Sequence, residues 1–333
     1  MNTRIVIAFL ALLVNASAFG QATQFTQFYA APTYLNPAFA GTTPQHRLSA
    51  NYRNQWPAIP RSWVAYNFAY DVYVPELNSG FGFIATHDRA GTGALRGNSI
   101  AVQYAYEFAI TRETVIRPAI QVGYGNRNLN FSDLTFSDQL IRNAGTSLEE
   151  MVFDPVSFFD AAAGFLVFNP RFWIGGAAHH INQPNESIWA DRQGIIPMKL
   201  SVHGGYRFSF SGGPYKRNGN DLVVAMNYKQ QGDFSQLDLG AYYELNPIVI
   251  GMWYRGLPLL KSNGYGYPNH DAVALMAGVA TDSFRFGYSY DITISTLGLG
   301  STAGAHEISL AYQWASVKNV RAARKRIIPC AKF

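Results

Sequence analysis

Residues 305–314 of this chain read AHEISLAYQW, and their side chains alternate between two kinds. The even positions include Ile308, Leu310, Tyr312 and Trp314, whereas the odd positions are small or polar. Successive side chains of a β-strand point to opposite faces of the sheet. The stretch therefore predicts a strand with one apolar face and one polar face.

The same alternation recurs along most of the chain and is clear in 99–108, 198–210, 221–229 and 283–292. The segments are about 10 to 13 residues long, which exceeds the usual soluble strand and matches a tilted membrane strand. We predict about 14 of them, an even number that is typical of closed outer-membrane barrels. The predicted bounds are 47–56, 62–74, 79–88, 95–109, 115–127, 157–168, 171–181, 198–210, 221–230, 233–244, 248–257, 270–281, 283–293 and 304–314.

Composition supports an all-β transmembrane antiparallel barrel of the outer-membrane type. Aromatic residues make up 15% of the chain and charged residues only 14%, against about 25% charged in ordinary soluble domains. No stretch after the N-terminus approaches the length of about 18 apolar residues that a membrane helix needs. The single cysteine, Cys330, excludes a disulfide within the chain. A soluble exported β-sandwich would also alternate, and it is the structural alternative.

The N-terminus has the features of a secretory signal peptide. A basic start precedes an apolar run, and Ala18-Phe19-Gly20 forms a small-x-small cleavage site. We predict a signal peptide at 1–20, a periplasmic N-terminal segment at 21–46, a barrel at 47–315 and a basic periplasmic tail at 316–333. Long loops are predicted at 128–156, 182–197, 258–269 and 294–303, on the opposite side from the short turns. This places both termini in the periplasm.

Charged residues at the polar positions of the strands are predicted to face the lumen, because charges facing lipid are destabilising. They are Glu107, Lys199, Arg207, Asp238, Glu244, Arg285, Asp291 and Glu307. Their mixed signs favour a lumen whose charges pair with one another, and a selective pore is the alternative. Pro118 within a strand has no N–H for the ladder and predicts a bulge.

The histidines do not form a convincing reactive centre. Neighbours such as His179 and His180 point to opposite faces of a strand and cannot converge on one metal ion. Ser201 and His203 share a face, so a lumenal hydrolase is a rival hypothesis. We predict no catalytic residue, no cofactor and no metal site.

The tail concentrates positive charge. Six cations and no acid lie between residues 318 and 333, so the net charge of +5 describes the tail rather than the body. We predict no binding of nucleic acid. The tail either docks to an acidic periplasmic partner or the anionic cell wall, or is a disordered solubilising segment.

Several motifs occur together in one order. They are Gln27-Phe28-Tyr29, Leu35-Asn36-Pro37-Ala38-Phe39-Ala40-Gly41, Asn51-Tyr52-Arg53-Asn54-Gln55-Trp56, Trp253-Tyr254-Arg255-Gly256, Gly287-Tyr288-Ser289-Tyr290-Asp291, Gly304-Ala305-His306-Glu307-Ile308-Ser309-Leu310 and the ending Ile328-Pro329-Cys330-Ala331-Lys332-Phe333. From about Gln24 to Phe333 the chain thereby resembles the PorP/SprF family of type IX secretion system membrane proteins. The family usually has a second proline after the cysteine, where this chain has Ala331.

The resemblance implies a non-enzymatic outer-membrane barrel that helps to deliver or retain secreted cargo, including gliding adhesins. The implied partners are the ring lipoprotein of the secretion system and its partner subunit, a peptidoglycan-binding OmpA-like lipoprotein, and cargo with a C-terminal signal domain. We predict docking through two segments, 34–41 and 321–326, in particular Tyr34, Leu35, Asn36, Pro37, Phe39, Arg321, Arg324, Lys325 and Arg326. A passive channel for small solutes is the functional alternative.

Overall fold

The computed structural model describes residues 23–43, 45–91, 95–129, 134–145, 147, 154–189, 193–210, 220–262, 268–315 and 328–329. This part of the chain forms a closed antiparallel β-barrel of fourteen strands, as predicted. No helix in these ranges is both long and apolar enough to cross a membrane.

The strands follow the predicted bounds closely. They are β1 (Gln45–Gln55), β2 (Trp63–Val74), β3 (Ser79–Ala90), β4 (Leu95–Tyr106, continued by Phe108–Ala109), β5 (Val115–Asn128), β6 (Val156–Phe168), β7 (Phe172–His179), β8 (Lys199–Ser209), β9 (Asn220–Gln231), β10 (Phe234–Leu245), β11 (Ile248–Ser262), β12 (Pro268–Ala280), β13 (Phe284–Thr293) and β14 (Ala305–Ala315). Short helices lie at α1 (Pro32–Leu35), α2 (Ser137–Arg142) and α3 (Leu299–Thr302), with 3-10 turns at Pro37–Phe39 and Pro75–Leu77.

Each strand pairs with its neighbours in sequence, and the first pairs with the last. Gln45 lies opposite Ala315, and Gln55 lies opposite Ala305. The ring of strands therefore leaves no open sheet edge. We call the end where β1 begins and β14 ends the turn end, because short connections such as 75–78 and 246–247 lie there. The opposite end, which carries the long connections 129–155 and 180–198, is the loop end.

The two faces of each strand differ as the alternation predicted. On β4, Gln103 and Ala105 face inward and are buried, whereas Val102 is 61% exposed on the outer face. At the outer turn end, His46 stacks on Trp314 with the ring centroids 5.2 Å apart. Such an aromatic belt belongs at a membrane–water interface.

The predicted lumen-facing charges lie on the inner face. Six of the eight are buried: Glu107, Arg207, Asp238, Glu244, Asp291 and Glu307. Lys199 and Arg285 share that face and are half-buried.

Two local predictions were wrong. Pro118 causes no bulge, since Ala105 pairs with Ala119 and Phe108 with Ile116 in one unbroken register. The missing N–H instead leaves a gap in β4 at Glu107, whose own N–H donates to Asn78 O at 2.8 Å. The predicted loop 258–269 is largely strand, because β11 continues to Ser262 and β12 begins at Pro268. This hairpin contains two register shifts.

Candidate functional site: a filled lumen

Residues 23–43, here called the plug, occupy the lumen of the barrel. Phe25, Phe28, Tyr29 and Phe39 of the plug are at most 5% exposed. The prediction of a periplasmic segment at 21–46 is therefore wrong for these residues. The reason is visible in the composition, since residues 21–45 contain no Asp, Glu, Lys or Arg and can be buried without desolvating a charge.

Aromatic contacts fix the middle of the plug against the barrel wall. Phe28 meets Trp253 edge to face, with centroids 4.6 Å apart, and Tyr29 meets Trp173 in the same way at 5.4 Å. Both tryptophans are almost fully buried. Such pairs add roughly 0.5–1.5 kcal/mol each beyond the area that they bury. The lumen is thus packed like the core of a soluble domain.

Nearer the loop end, the plug backbone is held by a carboxylate. The backbone N–H groups of Thr26 and Gln27 donate to the two oxygens of Glu307 at 2.6 and 2.9 Å. Arg53 pairs with Glu307 at 3.2 Å and with Asp291 at 2.8 Å, and its guanidinium also donates to the Thr26 hydroxyl. The Thr26 hydroxyl in turn donates to Asp291 at 2.7 Å.

A second arginine completes this group. Arg255 pairs with Asp291 at 3.2 Å and with Asp238 at 3.3 Å, and it donates to the Thr26 hydroxyl at 2.8 Å. We call Arg53, Arg255, Asp291 and Glu307 the ionic cluster. Buried charges are costly unless they are paired, and here the plug supplies part of the pairing. Removing the plug would leave these groups incompletely satisfied.

Two further arginines hold the plug near the turn end. Arg47 pairs with Asp71 at 2.7 Å and donates to Phe39 O, while Asp71 accepts from Gly41 N at 2.8 Å. Arg117, which is fully buried, pairs with Glu107 at 2.6 Å. Its guanidinium also donates to the carbonyl oxygens of Ala38 and Ala40.

Asn36 anchors the plug midway. Its amide nitrogen donates to Phe165 O at 2.9 Å and Gly176 O at 3.1 Å, and its side-chain oxygen accepts from Ala38 N at 2.9 Å. The same amide nitrogen lies 3.0 Å from Nε2 of His203. The plug is therefore bound at three depths of the barrel.

A short part of the C-terminal tail also contacts the lumen. Pro329 is buried, and its carbonyl oxygen accepts from Nε of Arg207 at 3.1 Å. Ile328 packs against the buried cluster that includes Phe28 and Trp253. These two residues therefore contact the inside of the barrel, although the prediction assigned them to a periplasmic tail at 316–333.

The five predicted docking residues between positions 34 and 39 belong to the plug. Leu35, Asn36, Pro37 and Phe39 are buried inside the barrel, and Tyr34 is half-buried. Burial raises the pKa of Tyr34, whose hydroxyl donates to Thr23 O at 2.5 Å. Residues 34–41 thus lie inside the barrel, where Tyr34 and Leu35 line a cavity at its loop end. Arg321, Arg324, Lys325 and Arg326 lie outside the described residues.

The hydrolase hypothesis finds no supporting geometry. His203 stacks on Phe39 of the plug, with centroids 5.3 Å apart, and its Nε2 faces Asn36. The Ser201 hydroxyl points to Ala177 O at 3.5 Å. Within the described ranges, no group of three or more His, Cys, Asp or Glu side chains could hold a metal ion.

The sequence reasoning missed most of the cations that bind the plug. Arg47, Arg53, Arg117 and Arg255 are all buried and all lie on the inner face. The alternation could have revealed these arginines. Arg47 and Arg53 lie at odd-numbered positions of β1, like Ser49 and Asn51, and so face the lumen. Assigning every charged strand residue to a face from its odd or even position would have placed these arginines in the lumen.

Comparisons with known proteins address the family. The family model described as type IX secretion system membrane protein PorP/SprF matches residues 17–312. Among solved structures, the chain is similar to the CymD monoaromatic hydrocarbon channel, at 12% identity over 90% of this chain and 96% of that chain, with a TM-score of 0.46. It is also similar to the P. putida toluene transporter TodX, at 9% identity over 84% and 93% of the two chains, with a TM-score of 0.48. No curated protein matches the chain.

The family match spans nearly the whole barrel, from the segment before the plug to β14. It includes both the strands that form the cylinder and the residues that fill it. On this evidence the chain belongs to the PorP/SprF family of type IX secretion system membrane proteins.

Proposed function

We propose that this chain is a non-enzymatic scaffold of the type IX secretion system in the outer membrane, with its turn end in the periplasm. The turn end docks to the ring lipoprotein and its partner subunit, or to a peptidoglycan-binding OmpA-like lipoprotein. The loop end contacts secreted cargo that carries a C-terminal signal domain, such as a gliding adhesin. The observation that carries the proposal is the plug, which is bound to the barrel wall at three depths.

A plugged barrel supports a holding role better than a transport role. Solute passage would require the plug to leave Glu307, Asp71 and Arg117, which bind its backbone. Hydrogen bonds to charged groups contribute about 1.5–3 kcal/mol each. Several of them together keep the plug seated, so the barrel presents two fixed ends on either side of the membrane.

Because residues 34–41 are enclosed, the docking surface in this proposal is the turn end together with the tail. Ala315 ends β14 at the turn end, and Pro329 contacts Arg207 near the same end. The sequence between these two points contains Arg321, Arg324, Lys325 and Arg326 without an acid. A segment with this much positive charge suits an acidic periplasmic surface.

The tail can be tested by affinity purification from cells. The test variant replaces Arg321, Arg324, Lys325 and Arg326 by Gln, which keeps the length of the tail and its last residues. The control, Arg89→Gln, removes an exposed cation at the opposite end of the barrel, near the end of β3. We expect the recovery of periplasmic partners to fall several-fold in the tail variant only. Equal recovery from both variants would refute docking through the tail charges.

The solute channel remains the alternative because cavities open at the loop end. Planar-bilayer recordings of the purified protein separate the two functions. A silent protein is expected for the scaffold, whereas steady conductance in the unmodified protein would favour the channel.

A further inference from the structure

We infer that the loop end of the lumen contains a binding site for a small carboxylate with an apolar body, held between the plug and strands β8 to β10. The site lies on the inner side of the barrel and involves Lys199 of β8, Lys229 of β9 and Phe234 at the start of β10. The site lies at the loop end, which the proposed function assigns to cargo, but binding of a small ligand is measured on the purified chain alone and is therefore tested independently of that role.

The first observation is a cavity of about 80 Å³ beside the plug. Phe25 and Phe28 of the plug and Phe234 of the barrel form its apolar wall. Lys199 and Lys229 also line the cavity, and none of its lining residues is Asp or Glu. A cavity with an apolar wall, two ammonium groups and no acid is suited to an anion that has a hydrophobic part.

The second observation concerns which ammonium is available. Lys229 already pairs with Asp238 at 3.4 Å. Nζ of Lys199 lies 5.3 Å from the ring centroid of Tyr34, and no carboxylate of the described chain lies within 4.0 Å of it. The cation–π contact leaves the hydrogen-bonding capacity of the ammonium for a ligand, because the ring face supplies no lone pair.

A neighbouring cavity provides access. It has a volume of about 150 Å³ and shares Thr23, Tyr34 and Lys199 with the first cavity. Because Lys199 lines both, an anion that enters the larger cavity meets this ammonium on its way to the smaller one.

The acids of the larger cavity are already paired. Asp88 and Glu186 both bind Arg127, at 3.3 and 2.7 Å. Asp160 lies 2.9 Å from Nδ1 of His180. Each of these acids thus has a partner other than Lys199.

The ligand chemistry follows from this geometry. A single ammonium beside three phenylalanines suits one carboxylate and a compact apolar group, because a phosphate would call for more donors than Lys199 can supply. Such a carboxylate occurs in a free short-chain acid and in the apolar C-terminal residue of a peptide. The shared feature is a carboxylate attached to an aliphatic group.

Saturation-transfer NMR on the purified full chain tests the site. The probes are valerate, its neutral isostere valeramide, and the tripeptide Gly-Gly-Val with a free or an amidated C-terminus. The variants are Lys199→Met, which removes the charge, and Lys199→Arg, which keeps it. Arg112→Met is the control for loss of a cation at an exposed connection.

We expect saturation transfer to valerate but not to valeramide, and binding at least about tenfold weaker in Lys199→Met. Lys199→Arg and Arg112→Met should retain binding.

Transfer to valerate alone identifies a free acid as the ligand, and transfer to the free tripeptide but not its amide identifies a peptide terminus. Equal transfer to valerate and valeramide, equal binding by the wild type and Lys199→Met, or no transfer to any acid would overturn the inference. If Lys199→Met does not fold, the comparison of acids with amides in the wild type decides alone.

Discussion

The ionic cluster should set how firmly the plug closes the barrel, and Glu307→Gln tests this directly. The Glu307 side chain is fully buried, accepts two N–H groups of the plug and pairs with Arg53. Glutamine has nearly the same shape but no charge. Arg53 keeps its second partner, Asp291, at 2.8 Å. The substitution therefore weakens the plug without removing every partner of the arginine.

The expected magnitude follows from the two backbone contacts. A hydrogen bond to a charged group contributes about 1.5–3 kcal/mol, and one between neutral groups about 0.5–1.5 kcal/mol. Glutamine has one acceptor oxygen, so one of the two bonds becomes a neutral bond and the other is lost, which costs the seated plug about 2.5–4.5 kcal/mol. Because about 1.4 kcal/mol corresponds to a factor of ten, the ratio of released to seated plug should rise about 60- to 1,600-fold.

Planar-bilayer recordings measure this ratio as the fraction of time for which the barrel conducts. Glu307→Gln should be open for a fraction of time at least about 60 times larger than in the wild type. The control is Glu76→Gln, the same chemical change in the exposed 3-10 turn Pro75–Leu77, which should behave like the wild type. If Glu307→Gln folds as a barrel and is as silent as Glu76→Gln, the plug does not depend on this carboxylate.

Two further substitutions probe the turn-end anchors. Arg117→Met leaves Glu107 buried without its partner at 2.6 Å, which should lower the free energy of unfolding by about 3–5 kcal/mol; urea titration should show no comparable loss in Arg112→Met. Gly80→Ala places a methyl group against Ala40 O of the plug, so its thermal unfolding midpoint should fall by several degrees. Gly300→Ala meets no atom within 4 Å, and a midpoint as low as that of Gly80→Ala would show that the close approach is not the cause.

The sequence predicted the cylinder because strand formation follows a local rule. Tyr312 and Gln313 are assigned to opposite faces by their parity alone, and the structure agrees. The same rule placed Asp291 and Glu307 inside the barrel. The errors are also physical. At Pro118 the two strands keep their register without an extra residue, and the ladder between them is interrupted instead.

The plug could not be predicted in this way because its position depends on pairs that are distant in sequence. Thr26 and Glu307 are separated by 281 residues, and Asn36 and Gly176 by 140. Residues 23–43 have no strand periodicity, so the alternation that identified the barrel has no bearing on them. The absence of charge in this segment was the available clue, and it indicates burial without indicating where.

The inner wall is shaped to the plug, which changes how the N-terminal motif should be understood. A Cβ at Gly164 would overlap the Asn36 side chain, and one at Gly80 would overlap Ala40 O. The barrel thus has glycines at positions where Asn36 and Ala40 approach its wall closely. A segment selected for docking would not need matching glycines on distant strands, whereas a permanent filling would. Leu35 to Gly41 is therefore best understood as lumen packing, which is why the proposed docking surface is the turn end and not this motif.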